Sequence, residues 1–473
     1  MSIEERAAVL AGGDQNQRAN DERDRTPKRR HTLQPGSNEL VTEDQAAIEF
    51  AKLHAEELRY CHDTGAWFEW KGIWRRNQTG LAFHWARELA RGMAITEADK
   101  IRYVTSKAAF AASIEKFARS DPVFAVTADY WDRDPFLLGT PAGAVDLRTG
   151  KLGRSDPADG ITKATSVAPS DIADCPLWIR FLNEATSGDA EVIRFLCQWC
   201  GYSLSGDVSE QALVFIHGPG GTGKSLFVKI MTHILSDYVA TPTMAALTTA
   251  KGERHSTDIA MLKGSRMAST SETVQGRAWD EALIKRLTGG DAITARFMRQ
   301  DNFTFTPTFK LLIVGNHAPR LHNADDAMHR RFNVVPFLHK PEQPDLQLEN
   351  KLRDESPAIL RWAIDGCLDW LENGLIRPAS VTARTDKYFA DQDIWAQWLE
   401  ESCDVEPGNR WLIAPSGELF QSWSGYAKAA GMDAGSRIEF AERLEQQGFV
   451  ADKGTGGRRV WRCVCLRRVQ ERV

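Results

Sequence analysis

Apolar residues are spaced in three different ways along this chain. From Thr42, the apolar positions Ala46, Ile48, Phe50, Leu53, Leu58 and Tyr60 recur about once per helical turn, which predicts an amphipathic helix capped by Thr42. Residues 67–74 then carry Trp67, Trp70 and Trp74 around Lys71-Gly72, the pattern of a small hairpin. Its tryptophans fit core packing better than base stacking, because Trp is mostly a buried residue. Helices are predicted over 81–96 and 105–119, a turn-rich segment over 136–152, and another helix over 177–199 after Pro176.

Near Ala212 the pattern changes. Residues 212–216 form a short unbroken apolar run ending in a glycine-rich turn, as expected of a buried parallel strand. Three more strand candidates lie at 266–270, 311–314 and 332–337, with helical stretches between them, so an α/β domain with a mainly parallel sheet is predicted. Residues 357–371 predict a strong amphipathic helix. From Thr385 the order is three helices, Phe449-Val450, a turn over 454–457 and a strand over 460–466; two strands around a turn make a wing. Residues 1–40 hold no Phe, Trp or Tyr, and Gly12-Gly13, Pro27 and Pro35-Gly36 break them up, so a disordered tail is expected.

Composition narrows the class. At about 150 residues per domain, 473 residues suggest roughly three domains. With 42% hydrophobic and 26% charged residues, the chain can bury a sizeable core. No apolar run reaches the ~18 residues of a membrane span, and the charged first twenty residues are not a signal peptide, so no membrane partner is expected and a cytoplasmic location is. Eight cysteines fit reduced thiols; Cys197 and Cys200 form a lone C-x-x-C and, like Cys463 and Cys465, read as core residues. The net charge of -5 argues against a globally basic nucleic-acid coat. One local basic stretch stands out: Arg458, Arg459, Arg462, Arg467, Arg468 and Arg472 beside the single acid Glu471. It reads as either a solvated strand end or a DNA contact.

The sharpest signal is Gly218-Pro219-Gly220-Gly221-Thr222-Gly223-Lys224-Ser225, which directly follows the apolar strand and opens a helix over 226–235. This is the G-x-x-x-x-G-K-[ST] P-loop in its proper context. Glycines let backbone N–H groups wrap phosphates, and the helix N-terminus adds partial positive charge. Lys224 is then expected at the β- and γ-phosphates and Ser225 on Mg²⁺, so ATP and Mg²⁺ are the expected substrate and metal. Hydrolysis also needs a carboxylate for water, a polar group near the γ-phosphate and a cation. Glu272 ends the second strand, Asn316 the third, and Arg330-Arg331 precede the fourth. Between the second and third strands, residues 293–297 and 303–306 alternate about Gln300-Asp301-Asn302, which is a hairpin.

Taken in order, Ser271-Glu272-Thr273, Ile284-Lys285-Arg286-Leu287-Thr288-Gly289-Gly290-Asp291, the hairpin, Gly315-Asn316-His317-Ala318-Pro319 and His329-Arg330-Arg331-Phe332 resemble a superfamily 3 helicase. The resemblance is strongest to phage and plasmid primase–helicases and their poxvirus-type relatives. Upstream, residues 134–141, 145–150 and 201–206 resemble that family's lead-in domain. The resemblance implies an AAA+-like ring hexamer moving 3′→5′ on single-stranded DNA. In it, Glu272 is the Walker B acid and a Mg²⁺ ligand, Asn316 the sensor, and Arg330 or Arg331 a finger into the neighbour's ATP site. Ser271 stands where the family carries a second acid. The hairpin residues Arg299, Gln300 and Asn302, with Lys285, are expected to touch the DNA backbone, and Arg458, Arg459 and Arg462 a fork.

The expected domains are a tail over 1–40, a largely helical lead-in over 41–205, an AAA+-like P-loop core over 206–340, a helical lid over 341–384 and a winged-helix-like domain over 385–473. No primase portion is expected in the chain, so a separate primase or initiator is an expected partner. The expected function is that of a replicative helicase of a phage or mobile element in a bacterial host. An origin-binding initiator or loader, and another AAA+ ATPase, are the alternatives.

Overall fold

The computed structural model describes residues 42–96, 99–249, 257–271, 278–298, 301–321, 325–454 and 457–467. They divide into two units, one of residues 42–50 and 83–118, the other of residues 51–82 and 119 onward. The first unit is helical. It takes the opening turns of α1 (Glu43–His54), most of α2 (Leu81–Thr96), α3 (Asp99–Thr105) and α4 (Ala108–Ala118). Its buried positions include Ala46, Phe50, Ala86, Ala90 and Phe110. Thr42 caps α1 as expected, its Oγ1 accepting from the Gln45 N–H at 3.2 Å.

The second unit opens with more strand than the sequence pattern predicts. β1 (Leu58–Cys61), β2 (Ala66–Trp70), β3 (Trp74–Arg76) and β4 (Ala125–Val126) form one sheet, with β1 and β4 parallel. β5 (Leu137–Thr140), β6 (Gly143–Asp146) and β7 (Lys151–Gly153) form another. The lead-in is therefore mixed rather than largely helical. The hairpin at Lys71-Gly72 is present, with Trp70 opposite Trp74. Trp74 is fully buried and donates Nε1–H to the Pro157 carbonyl at 2.8 Å, which fixes it as a core residue. The single helix expected over 177–199 is two, α5 (Pro176–Ala185) and α6 (Ala190–Leu204). Ser187 and Gly188 both adopt positive φ, and Asp189 starts the second helix by accepting from the Glu191 and Val192 amides at 3.1 Å.

Beyond α6 the chain alternates strand and helix. β8 (Leu213–His217) leads through the P-loop into α7 (Lys224–Leu235); β9 (Val239–Ala240) and β10 (Met267–Ser271) follow. Then come α8 (Glu281–Thr288), the hairpin β11 (Ile293–Ala295) with β12 (Phe303–Phe305), β13 (Lys310–Gly315), α9 (Asp326–His329) and β14 (Phe332–Pro336). Five strands form one parallel sheet in the order β14-β8-β13-β10-β9. Counted from the P-loop strand, that order is 5-1-4-3-2. Alternation along each strand splits the core in two. Leu213, Phe215, Leu311, Ile313 and Val334 face one cluster, and Val214, Ile216, Leu312, Val314 and Val335 the other.

α10 (Ser356–Asn373) crosses α6 at two glycines. A Cβ on Gly201 would lie 2.1 Å from the Cys367 N, and one on Gly366 2.1 Å from the Cys197 carbonyl oxygen, so the two backbones touch. Cys197 Sγ donates to the Trp362 carbonyl at 3.2 Å, and burial pushes the thiols of Cys197 and Cys200 up, which keeps both protonated packing groups. After α11 (Ala379–Gln392) come α12 (Ile394–Ser402), β15 (Cys403–Val405), β16 (Ile413–Pro415), α13 (Ser416–Ala429), α14 (Arg437–Gln446), β17 (Val450–Lys453), β18 (Arg459–Arg462) and β19 (Val464–Leu466). Trp395, Trp398, Trp423, Phe440 and Trp461 fill the core of this last region. Among the described residues, no helix is long and apolar enough to cross a membrane.

Two buried basic side chains fasten the lead-in to the sheet. Arg266, just before β10, donates to the carbonyls of Leu204 and Leu137. Lys310, which opens β13, donates to those of Ser205 and Asp207. Burial, followed by the nearby Arg266 charge, holds the Lys310 amine well below its ordinary range. The folded chain thus binds fewer protons at Lys310 than the unfolded chain, so stability from this group rises with pH toward about 10.4. Lys310→Met leaves two buried carbonyls without a donor and is expected to cost ~2–4 kcal/mol. Denaturant unfolding at pH 7 and pH 10 checks this: the gap to wild type should widen at pH 10, and an equal gap would mean a lysine protonated throughout.

Candidate functional site

The P-loop sits at the carboxyl edge of β8, beside β13. Its shape demands glycine at several positions. Gly221 and Gly223 have φ of 84° and 85°. A Cβ on Gly218 would lie 1.8 Å from the Phe337 carbonyl oxygen, and one on Gly223 2.5 Å from the Phe181 ring. Gly223 also starts α7, its carbonyl accepting from the Phe227 N–H at 3.0 Å. The turn is therefore wedged between the end of β14 and the lead-in helix α5, and is not a loose surface loop.

Lys224 opens α7 but folds back into the loop. Its Nζ donates to the Gly218 carbonyl at 2.8 Å, to the Pro219 carbonyl and to Thr222 Oγ1. Only 5% of the residue is exposed, and burial lowers the pKa of its amine. A cation held this way among carbonyls can exchange those partners for anionic oxygens entering the loop. Ser225 is exposed on the first turn of α7. A hydroxyl in that place is free to join a hard cation, which takes oxygen ligands.

Two residues that sequence reasoning missed flank the loop. His217 ends β8, immediately before Gly218, and its Nδ1 lies 3.5 Å from Arg384 Nη2 on α11. Burial first, then Arg384 and Lys224, lower the His217 pKa, so the ring is neutral near pH 7. Asn316 follows Gly315, which is paired with His217, and its exposed position is at the same sheet edge as the P-loop. Ser271 pairs with Val314 one strand further out. Glu272, Arg299 and Gln300 lie outside the described residues.

Arg330 and Arg331 are at the opposite edge. Arg331 precedes β14, and its carbonyl accepts from the Leu213 N–H at 2.7 Å, at the start of the P-loop strand. One strand of five residues, about 16 Å long, therefore separates these arginines from their own P-loop. The two differ sharply. Arg331 donates to Thr288 Oγ1 at 3.1 Å, the Ala327 carbonyl at 2.7 Å and Gln211 Oε1 at 3.2 Å. Arg330 is exposed, with one weak bond to the Asp326 carbonyl at 3.3 Å. Lys285 is also engaged, in an ion pair with Asp325. Burial works to raise the Asp325 carboxyl, but the Lys285 and Met328 hydrogen bonds outweigh it and hold the group below its usual range. Lys285, Thr288, Asp325 and Arg331 thus brace α8 against α9.

The hairpin has an anchored base. Ile293, Ala295 and Phe305 are buried, while Thr294 and Thr304 face each other outside at 3.3 Å. Asn302 is exposed at its free end, and Phe297 stacks on Phe303 with ring centroids 5.5 Å apart. In the last region, Arg458 is exposed. Arg459 pairs with Glu445 at 3.2 Å and Arg462 with Asp452. Two of the three arginines expected to contact a fork are thus balanced within the chain.

Comparison with known proteins extends this description. The family model D5 N terminal like matches residues 47–187, and a family of unknown function, DUF5906, matches residues 216–331. A protein bearing a helicase name in Acanthamoeba polyphaga mimivirus, L207/L206, is 25% identical over 292 residues, or 57% of this chain and 30% of that protein. Another helicase-named protein, 022R of Frog virus 3 (isolate Goorha), is 22% identical over 303 residues, or 59% of this chain and 30% of that protein. The chain therefore spans about a third of the length of these relatives. The apo structure of the NrS-1 C-terminal region shares the fold, with a TM-score of 0.50 at 10% identity, covering 90% of this chain and 100% of that one.

The unequal arginines make a prediction. Arg331→Ala should destabilise the fold by about 1–2 kcal/mol, since Thr288 and Gln211 lose a half-buried donor. Arg330→Ala should cost less than about 0.5 kcal/mol. Thermal unfolding followed by circular dichroism checks both, and equal shifts would contradict the assignment of Arg331 as a brace.

Proposed function

The chain is a superfamily 3 primase–helicase-like protein of the phage and viral type, and from that premise we propose that it is an ATP-driven DNA helicase. One observation carries the reading: a P-loop on the second strand of a 5-1-4-3-2 parallel sheet, with Asn316 on the adjacent strand and an exposed arginine at the opposite edge. An ATPase that completes its own site has no need of an arginine on the far side of the sheet. An ATPase that works in a ring does, because that side faces a neighbour.

In this reading Lys224 leaves the carbonyls of Gly218 and Pro219 and neutralises the β- and γ-phosphates. Ser225, with Glu272, would hold Mg²⁺, which supplies charge stabilisation to the phosphates when bound. Glu272 follows Ser271 in the chain, draws a proton from the attacking water, and Asn316 orients that water. Arg330 enters the adjoining subunit's site; its exposure supports it over Arg331. The hairpin carries Arg299, Gln300 and Asn302 into a central channel, where they hold phosphates of single-stranded DNA without reading sequence. The region from residue 385 is a winged-helix-like domain at the fork, with the exposed Arg458 among its cations. The ring is a hexamer moving 3′→5′, served by a separate primase or initiator.

A forked-DNA displacement assay with single 3′ or 5′ tails tests the whole reading. Wild-type protein should separate strands from a 3′ tail, and Lys224→Ala should not. Glu272→Gln should bind ATP yet not turn it over; normal turnover would move the base elsewhere. Arg330→Ala mixed with Lys224→Ala should recover part of the ATPase, because some interfaces pair an intact P-loop with an intact arginine. Nucleotide-dependent DNA binding with no displacement would favour an origin-binding initiator instead.

A further inference from the structure

The segment that leaves β14 runs back along the P-loop. Phe337 donates its N–H to the His217 carbonyl at 2.9 Å, and its own carbonyl oxygen fills the space a side chain at Gly218 would need. Three residues on, the side chain of Lys340 lies across the loop at Gly221. A Cβ built there would meet Lys340 Cε at 3.3 Å and Cδ and Cγ at 3.7 Å each. Lys340 itself is exposed. No protein hydrogen bond or ion pair engages its ammonium among the described residues.

We propose that Lys340 is a second, same-chain cation for the phosphate groups of a nucleotide in the P-loop. The proposal rests on the nucleotide reading given above and adds a residue to it. Three facts carry it. The Phe337–His217 bond and the contact at Gly218 fix where the lysine leaves the backbone, so its reach is not arbitrary. Its methylenes pack on the loop, as long cationic side chains do when the stem is apolar and the head stays in water. Gly221, with φ of 84°, gives that stem a bare backbone to lie on. The ammonium is thereby held beside a loop whose amides and buried Lys224 already favour an anion, and it adds a point charge.

Fluorescent analogues of ATP, ADP and AMP, bound to wild type, Lys340→Met and Lys340→Arg at two salt concentrations, test the assignment, with thermal unfolding of the unliganded proteins as the fold control. Met preserves the apolar stem over Gly221 and removes only the charge. Lys340→Met should unfold like wild type, bind ATP and ADP about ten-fold more weakly, bind AMP within about two-fold, and show a shallower salt dependence. Lys340→Arg should retain most of the affinity. Normal ATP affinity in Lys340→Met, beside normal wild-type binding, would overturn the assignment alone and leave Lys340 as a cover for Gly221. An equal loss for all three nucleotides would place the contact on sugar or base and overturn it too. A wild type that binds none of them would overturn both this assignment and the nucleotide reading.

Discussion

Two buried basic side chains, bonded to main-chain carbonyls, set the lower boundary of the sheet. Arg266 and Lys310 stand at the starts of adjacent parallel strands, with Met267 paired to Lys310, and both point into the carboxyl end of α6. The last carbonyls of a helix have no partners within it and carry partial negative charge, so they are natural acceptors for these donors. Arg266 also stacks over Tyr238, and Lys310 over Tyr202, each 4.5 Å from the ring centroid. Because α6 is crossed backbone to backbone by α10, fixing its end fixes the helix pair against the sheet. Everything at the carboxyl edge is built on strands that are held at this one.

The P-loop depends on the same rigidity. Its glycines are constrained by neighbours: Gly218 by the chain leaving β14, and Gly223 by Phe181 of α5. A side chain at either place would require backbone or a buried aromatic ring to move. The lead-in helix α5 and the chain leaving β14 therefore both wall the P-loop.

Much of this was legible in the sequence. The unbroken apolar runs at Leu213 and Leu311 announced buried parallel strands, and the alternation of Ile293, Ala295 and Phe305 with threonines announced the hairpin. These are local signals, since period and turn chemistry act within a few residues. The rest depends on contacts distant in sequence. The parallel pairing of Tyr60 with Ala125 gives no sign in either two- or four-residue strand. His217 meets Arg384 only because α11 crosses the edge of the sheet. Arg459 and Arg462 read as a basic strand until Glu445 and Asp452 are seen beside them. Arg330 and Arg331 are adjacent in sequence and chemically alike, and only Thr288, Ala327 and Gln211 tell them apart.

β14 touches the P-loop of its own subunit at one end and carries, at the other, the arginine assigned to the neighbour. β14 is bonded along its length to β8, so its two ends are joined by an unbroken main-chain ladder. In the ring proposed above, that arrangement would act like a train of gears: a shift at one nucleotide site would reach the next in one rotational direction only, because the two ends of the strand are not equivalent. Firing order would then be a property of the strand's polarity, with no separate timing element required.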